Sequence, residues 1–107
     1  MFDERDVLLK AASIVEQGWC QGSFYNVDEL TGAESVCALG AIMQAHRLLG
    51  VPEPPGHPDG WAAGLLLRQT LNHRPSREGL SVVPDWNDAP GRTASEVAEA
   101  MRTAALT

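Results

Sequence analysis

Cys37 is the residue whose type and position best fit nucleophilic chemistry. It lies near the start of SVCALGAIMQAHRLLG, residues 35–50, a segment with the apolar spacing of a buried helix. The unpaired N–H groups and the dipole in the first turn of a helix favour a thiolate, the reactive form of cysteine. A nucleophilic cysteine also needs a histidine base and usually an Asn or Asp that orients the base.

Three histidines are available as that base. His46 follows Cys37 by nine residues on one helix, so at about 100° per residue it points to the opposite face, roughly 13 Å along the axis. His57 and His73 lie in or beside loops and remain candidates. Since a free cysteine is more often a small buried hydrophobic residue, we assign no catalytic residue.

The second group is Trp86-Asn87-Asp88, within PDWNDAPGRTASEV. Asn and Asp side chains bond nearby backbone N–H groups and thereby start turns and helix caps. From across the fold, Asn87 or Asp88 would reach the unsatisfied N–H groups at the start of the helix of Cys37. We expect a fastened turn in which Trp86 is an apolar plug against Trp19.

An alternative interpretation assumes the same geometry but assigns it a binding or catalytic function. The space between Cys37 and Asp88 would then stay open to a small anionic or polar ligand at the helix N-terminus. The alternative function is accordingly a thiol-dependent enzyme or a small-ligand binder, centred on Cys37 with Asn87 and Asp88 in support.

Cys20 and Cys37 are the two cysteines of the chain. A disulfide is possible on count, but reducing conditions in the cytoplasm favour two free thiols. The cysteines and histidines show no CxxC or HxxxH spacing, so a zinc site would need long-range assembly. We therefore predict neither a metal nor a cofactor.

The elements that must position these groups are helices. Four segments show helical apolar spacing or capping signals: residues 3–18, residues 35–50, Trp61–His73 and a last segment that follows a Thr93–Glu96 capping box. Ser81-Val82-Val83 is expected to be briefly extended, without a partner long enough for a real sheet. The sequence predicts an all-α fold, a compact single-domain bundle of about four helices with proline-rich loops, spanning residues 1–107.

One glycine inside these helices stands out. Gly40 lies within the apolar segment of Cys37, where glycine costs a helix about 1 kcal/mol relative to alanine. The close approach of another backbone would explain that cost.

Composition narrows the classes of partner. The net charge is −6, and the eight Lys and Arg residues are scattered rather than clustered. Phosphate backbones and anionic lipids reward clustered positive charge, so we expect neither nucleic acid nor membrane as a partner. The N-terminus MFDERDVLLK has no basic region followed by an apolar one, so we expect a cytoplasmic location.

The ordered motifs GWCQG, VCALGAI and WNDAPGRTASEV resemble a family of small uncharacterised proteins, a domain of unknown function found in actinobacteria and their phages. The resemblance covers nearly the whole chain and implies no activity, substrate or cofactor. It implies that one shared feature contains Trp19, Cys37, Gly40, Trp86, Asn87 and Asp88.

The third predicted helix carries the candidate partner surface. Trp61 follows the polar stretch HPDG and is expected at the surface, and one helix face cannot bury all of Leu65, Leu66 and Leu67. Exposed tryptophan and leucine are typical of protein interfaces. We therefore expect a small cytoplasmic protein-binding or regulatory module, with a protein partner or a homodimer, rather than an enzyme.

Overall fold

The computed structural model describes residues 1–107 and contains five α-helices and one small sheet. The helices are α1 (Glu4–Gln17), α2 (Ala38–Leu49), α3 (Ala62–Leu71), α4 (Val82–Asn87) and α5 (Ala94–Ala105). The strands are β1 (Tyr25–Val27) and β2 (Glu34–Val36), and Pro58–Gly60 form a single 3₁₀ turn.

The core is built around α1, which packs most extensively on α5 and then on α2. α3 packs on α5 and closes the helical layer, while α4 and the hairpin lie toward the start of α2. The largest fully buried side chains come from every helix of this arrangement and include Leu8, Leu39, Leu67, Val83 and Met101. Burial of these apolar side chains supplies the main driving force for folding.

The sheet and α4 correct the prediction of an all-α bundle of about four helices, while a mostly helical compact domain is confirmed. β1 and β2 pair antiparallel, with Tyr25 opposite Val36, and each strand has only three residues. Strands this short do not show the alternation that identifies a strand in a sequence. Because residues 35 and 36 belong to β2, α2 begins at residue 38 rather than at residue 35.

Residues 81–83 are also corrected, because Val82 and Val83 begin α4 instead of a strand. The two valines favour extended backbone, but Pro84 is compatible with the first turn of a helix, where its missing N–H has no partner to lose. The Asp85 N–H donates to the Ser81 carbonyl at 3.2 Å and closes that turn.

The expected exposure of Trp61 is wrong. Trp61 is only 5% exposed, and its indole packs edge-on against the ring of His46 on α2, with 4.8 Å between ring centroids. The 3₁₀ turn before it folds the polar HPDG stretch back and directs the indole inward. Leu67 is fully buried and Leu66 partly so, while Leu65 is 41% exposed. The candidate partner surface on α3 is therefore much smaller than the sequence suggested.

Side chains close in sequence cap the N-termini of α5 and α1. α5 begins with a capping box in which the Glu96 N–H donates to Thr93 Oγ1 at 3.2 Å, and the Thr93 N–H donates to Glu96 Oε1 at 3.1 Å. α1 begins with the same device, built from Asp3 and Asp6. These boxes satisfy N–H groups that a helix leaves unpaired in its first turn.

Gly40 lets the hairpin approach α2 at backbone distance. A β-carbon at this position would overlap the carbonyl group of Phe24, the residue before β1. The Cys37 N–H donates to the same carbonyl at 3.3 Å, so the hairpin cannot move away without losing that bond.

We predict that Gly40→Ala destabilises the protein, although alanine ordinarily favours a helix. Overlap with the Phe24 carbonyl lowers the free energy of unfolding by about 2 kcal/mol, measured by urea denaturation followed by circular dichroism. Gly60→Ala is the matched control, since a β-carbon there meets nothing within 4 Å. A Gly40→Ala protein as stable as the wild type would show that the hairpin does not need this close approach.

Candidate functional site

The side chain of Asn87 connects three segments that are distant in sequence. Its Oδ1 accepts hydrogen bonds from the Trp19 indole Nε1 at 2.7 Å and from the Ala38 backbone N–H at 3.0 Å. Its Nδ2 donates to the Cys20 carbonyl at 3.2 Å and to Asp88 Oδ1 at 2.9 Å. The residue is fully buried, so these bonds are shielded from water. Asn87, rather than Asp88, therefore satisfies the first N–H group of α2.

Asp88 extends this connection to the loop after α1. Its Oδ1 accepts a hydrogen bond from the Gly22 N–H at 3.0 Å. The Gln21 side-chain amide Nε2 donates to the Asn87 and Ala89 carbonyls, both at 3.0 Å. Each of the two segments, the loop after α1 and the end of α4, thus contributes a side chain that bonds to the backbone of the other.

The ring of Trp86 contacts a cation, and no ring–ring pair with Trp19 accompanies it. Trp19 is held by Asn87 instead, while the guanidinium of Arg92 lies 4.2 Å from the centre of the Trp86 ring. Arg92 Nε also donates to the Trp86 carbonyl at 3.0 Å. Trp86 is buried, and the cation above its ring fastens α4 to the turn before α5.

Cys37 is the N-cap residue of α2 and is only 6% exposed. Its Sγ accepts a hydrogen bond from the Gly40 N–H at 3.4 Å. Burial raises the pKa of the Cys37 thiol, and this effect outweighs the N–H groups of Gly40 and Leu39, which lower it. The thiol is therefore protonated at neutral pH, despite its place at the start of a helix.

A cleft of about 710 Å³ opens beside this N-cap, and we call it the Cys37 cleft. It is lined by Gly22, Ser23, Phe24, Cys37, His57, Gly79, Leu80, Ser81, Pro84, Asp85 and Asp88. The lining contains two carboxylates and no Lys or Arg. The start of α2, the loop after α1 and the start of α4 thus form the walls of one cavity.

The three histidines occupy different places around this site. His57 lines the Cys37 cleft, but its Nδ1 lies 2.9 Å from Asp59 Oδ1, and no histidine nitrogen is hydrogen-bonded to the Cys37 sulfur. His46 lies away from the cleft, with its Nδ1 3.2 Å from the Pro52 carbonyl. The structure therefore brings Cys37, His57 and Asp88 around one cavity without assembling a thiol–imidazole pair.

Asp85 is a cleft residue that the sequence analysis missed. His73 Nε2 lies 2.8 Å from Asp85 Oδ2, and the Ser76 hydroxyl donates to Oδ1 at 2.7 Å. These hydrogen bonds, with the Ser76 N–H as a third, lower the pKa of Asp85 from its ordinary value of 3.8 to about 2. The partners precede Asp85 by 12 and 9 residues across an irregular loop, a spacing that no sequence motif signals.

Comparison with known proteins gives a family and no activity. A model described as "Family of unknown function (DUF6197)" matches residues 2–107. The chain belongs to that family. The expected membership of a family of unknown function is confirmed, while its occurrence in actinobacteria and phages and a cytoplasmic location stay predictions. No curated protein and no solved structure matches the chain.

The structure contains neither a cluster of metal-ligating side chains nor a membrane-spanning helix. No group of three or more His, Cys, Asp or Glu side chains is placed to hold a metal ion. None of the helices combines the length and apolar character needed to cross a membrane.

We predict that Asn87→Ala lowers the free energy of unfolding by about 3 kcal/mol, because it leaves the Trp19 and Ala38 N–H groups buried without an acceptor. Asn87→Asp keeps the acceptor but places a negative charge beside Asp88 in a buried site. Both effects are measured by urea denaturation.

The two variants differ in their pH dependence. Burial raises the pKa of a carboxyl at position 87 above its unfolded value, so its penalty is complete above the folded pKa and disappears below the unfolded one. Stability of Asn87→Asp relative to Asn87→Ala therefore increases as the pH falls from 8 toward 4, about the unfolded pKa of an aspartate. A constant difference between the variants would contradict a buried, charge-excluding site.

A second pH dependence follows from Asp85. Because its pKa is lower in the folded protein, its contribution to stability is complete above the ordinary value of 3.8 and is lost as the pH falls toward about 2. Urea midpoints of the wild type and Asp85→Asn should differ most above pH 4 and converge as the pH approaches 2. A gap that stayed constant over this range would mean that the Asp85 charge does not stabilise the fold.

Proposed function

We propose that this protein is a binding module whose ligand is a small polar molecule held in the Cys37 cleft. One observation carries the proposal, which is the cavity of about 710 Å³ at the start of α2. Small-molecule sites in proteins usually measure about 300–1,000 Å³ and combine apolar walls with a few convergent polar groups. Here Phe24, Leu80 and Pro84 supply apolar surface, while hydroxyl, carboxylate and imidazole groups supply the polar contacts.

The charge of the lining favours a ligand with a positively charged group. Asp85 and Asp88 are the charged residues of the wall, and no cation of the cleft opposes them. The first N–H groups of α2 already donate to Asn87 and Cys37, so they are not free to hold an anion. A polar ligand with a positive charge therefore fits the cleft better than the anionic ligand that the sequence also allowed.

Binding, rather than catalysis, fits the state of the thiol. Cys37 has no histidine at hydrogen-bond distance, and burial raises its pKa, whereas a thiol nucleophile needs an adjacent base or a lowered pKa. The thiol-dependent enzyme stays an alternative prediction that no contact of the site supports.

A protein partner is the second candidate, and the hairpin favours it. Tyr25 and Val27 of β1 are 52% and 43% exposed, and Leu30 at the hairpin tip is 96% exposed. Together they present more apolar surface than Leu65 does on α3. The protein-binding function expected from the sequence is therefore proposed for the hairpin rather than for α3.

The cleft is tested by titrating isotope-labelled protein with phenethylamine and, as a matched control, 3-phenylpropionate. We predict that the amine shifts the backbone amide signals of Gly22, Gly79, Ser81 and Asp88 with a dissociation constant of about 1 mM, a typical strength for so small a ligand. 3-Phenylpropionate should leave the same signals unchanged, because its negative charge is repelled by the negatively charged wall of the cleft.

Two charge-removing variants make the test specific. Asp88→Asn keeps an oxygen acceptor for Gly22 but removes the charge, and should weaken amine binding at least about threefold. Glu99→Gln removes an exposed carboxylate outside the cleft and should leave binding unchanged. Equal shifts with amine and carboxylate, or none with either, would contradict the proposed cationic ligand.

A further inference from the structure

A short parallel bridge lies directly before the two cysteines in both segments that carry them. The Val36 N–H donates to the Gly18 carbonyl, and the Cys20 N–H donates to the Val36 carbonyl, both at 3.0 Å. This pattern pairs Trp19 with Val36, so the next residues in register are Cys20 and Cys37. Facing residues of neighbouring strands lie roughly 4.8 Å apart and project from the same face.

That separation suits a disulfide. Bridged cysteines have α-carbons about 4.4–6.8 Å apart, a range that includes the spacing of adjacent strands. Both cysteines are free in this structure, with Cys20 half-buried and Cys37 buried. The Cys20 thiol donates to the Ser23 carbonyl at 3.5 Å, while the Cys37 sulfur accepts from Gly40. Each sulfur thus has one weak hydrogen bond to give up.

A second observation agrees with this proximity. Burial is the main cause of the raised pKa of Cys37. The charge of Cys20 is a smaller effect in the same direction. Charge effects of this kind are largely screened beyond about 10 Å, so the effect is consistent with two thiols within that range. Asn87 fastens the same junction, since it bonds the Cys20 carbonyl and the N–H of Ala38, the residue after Cys37.

We propose that Cys20 and Cys37 form a reversible redox-modification site, which closes as an intramolecular disulfide by exchange with a small disulfide such as glutathione disulfide. The Cys20 thiolate attacks one sulfur of glutathione disulfide, which forms a mixed disulfide and releases one glutathione thiolate. The Cys37 thiol then loses its proton to solvent, and the thiolate so formed attacks the Cys20 sulfur and releases the second glutathione thiolate; because the fold holds Cys37 beside that sulfur, a small thiolate fraction is enough for this step. The protein loses two electrons and two protons, and one glutathione disulfide becomes two glutathione thiols.

Exposure sets the order of these steps. Cys20 is the more accessible thiol, so it reacts first with the small disulfide, and the buried Cys37 resolves the mixed disulfide. Closure converts the Cys37 sulfur, which accepts from the Gly40 N–H, into a disulfide sulfur and adds a covalent bond between the loop after α1 and the start of α2. The modification therefore changes the group that lines the Cys37 cleft.

The test equilibrates the protein with buffers of reduced and oxidised glutathione, followed by acid quenching, alkylation and mass spectrometry. A protease that cuts after glutamate separates the cysteines at Glu29 and Glu34, so an intramolecular disulfide appears as two linked peptides that have lost two hydrogens. The equilibrium constant for closure is compared between native and urea-denatured protein. Since the fold holds the cysteines together, the native constant should be on the order of tenfold to a hundredfold larger.

Two serine variants make the outcome decisive. Cys37→Ser keeps an N-cap oxygen and should accumulate the mixed disulfide at Cys20, whereas Cys20→Ser should leave Cys37 largely reduced. A native constant equal to or below the denatured one would overturn the proposal. So would a persistent mixed disulfide at Cys20 in the wild type, or cross-linking between two chains.

Discussion

The buried amide of Asn87 is the interaction on which the rest of the site depends. An amide side chain offers two acceptor and two donor positions, and in Asn87 all four are used. Few other side chains of this size present acceptor and donor groups on opposite sides in one plane. An apolar replacement would leave several buried groups unpaired, and an acidic one would add charge where water cannot solvate it. The start of α2 therefore owes its position to the end of α4.

The walls of the cleft are held by side chains rather than by regular secondary structure. Asp88 fixes the loop after α1 through the Gly22 N–H, and Asp85 fixes the loop before α4 through Ser76 and His73. Gly22 and Gly79 adopt positive φ angles of 85° and 89°, which few other residues tolerate. The same carboxylates thus shape the cavity and give it its negative charge.

Local signals identified four of the five helices, all but α4, and tertiary contacts decided the rest. α1 and α5 were predictable because their apolar spacing and capping residues lie within the helix itself. The start of α2 was displaced by strand pairing, which depends on residues about ten positions away. The exposure of Trp61 was predicted wrongly because its neighbours in sequence are polar. In the folded protein its ring contacts His46 instead. The pair of Asp85 and His73 could not be predicted either, because the two residues are distant in sequence and meet only in the folded protein.

The hydrogen bonds of Asn87 also constrain when the site can form. Its bond to Ala38 spans 49 positions of the chain, and its bond to Trp19 spans 68. Contacts of such long range are intrinsically slow to form, because loop closure must precede them. During synthesis from the N-terminus, Trp19 and the start of α2 emerge from the ribosome before Asn87, the acceptor of their hydrogen bonds. The cavity therefore reaches its native geometry only after α4 has been synthesised and has docked on the segments before it.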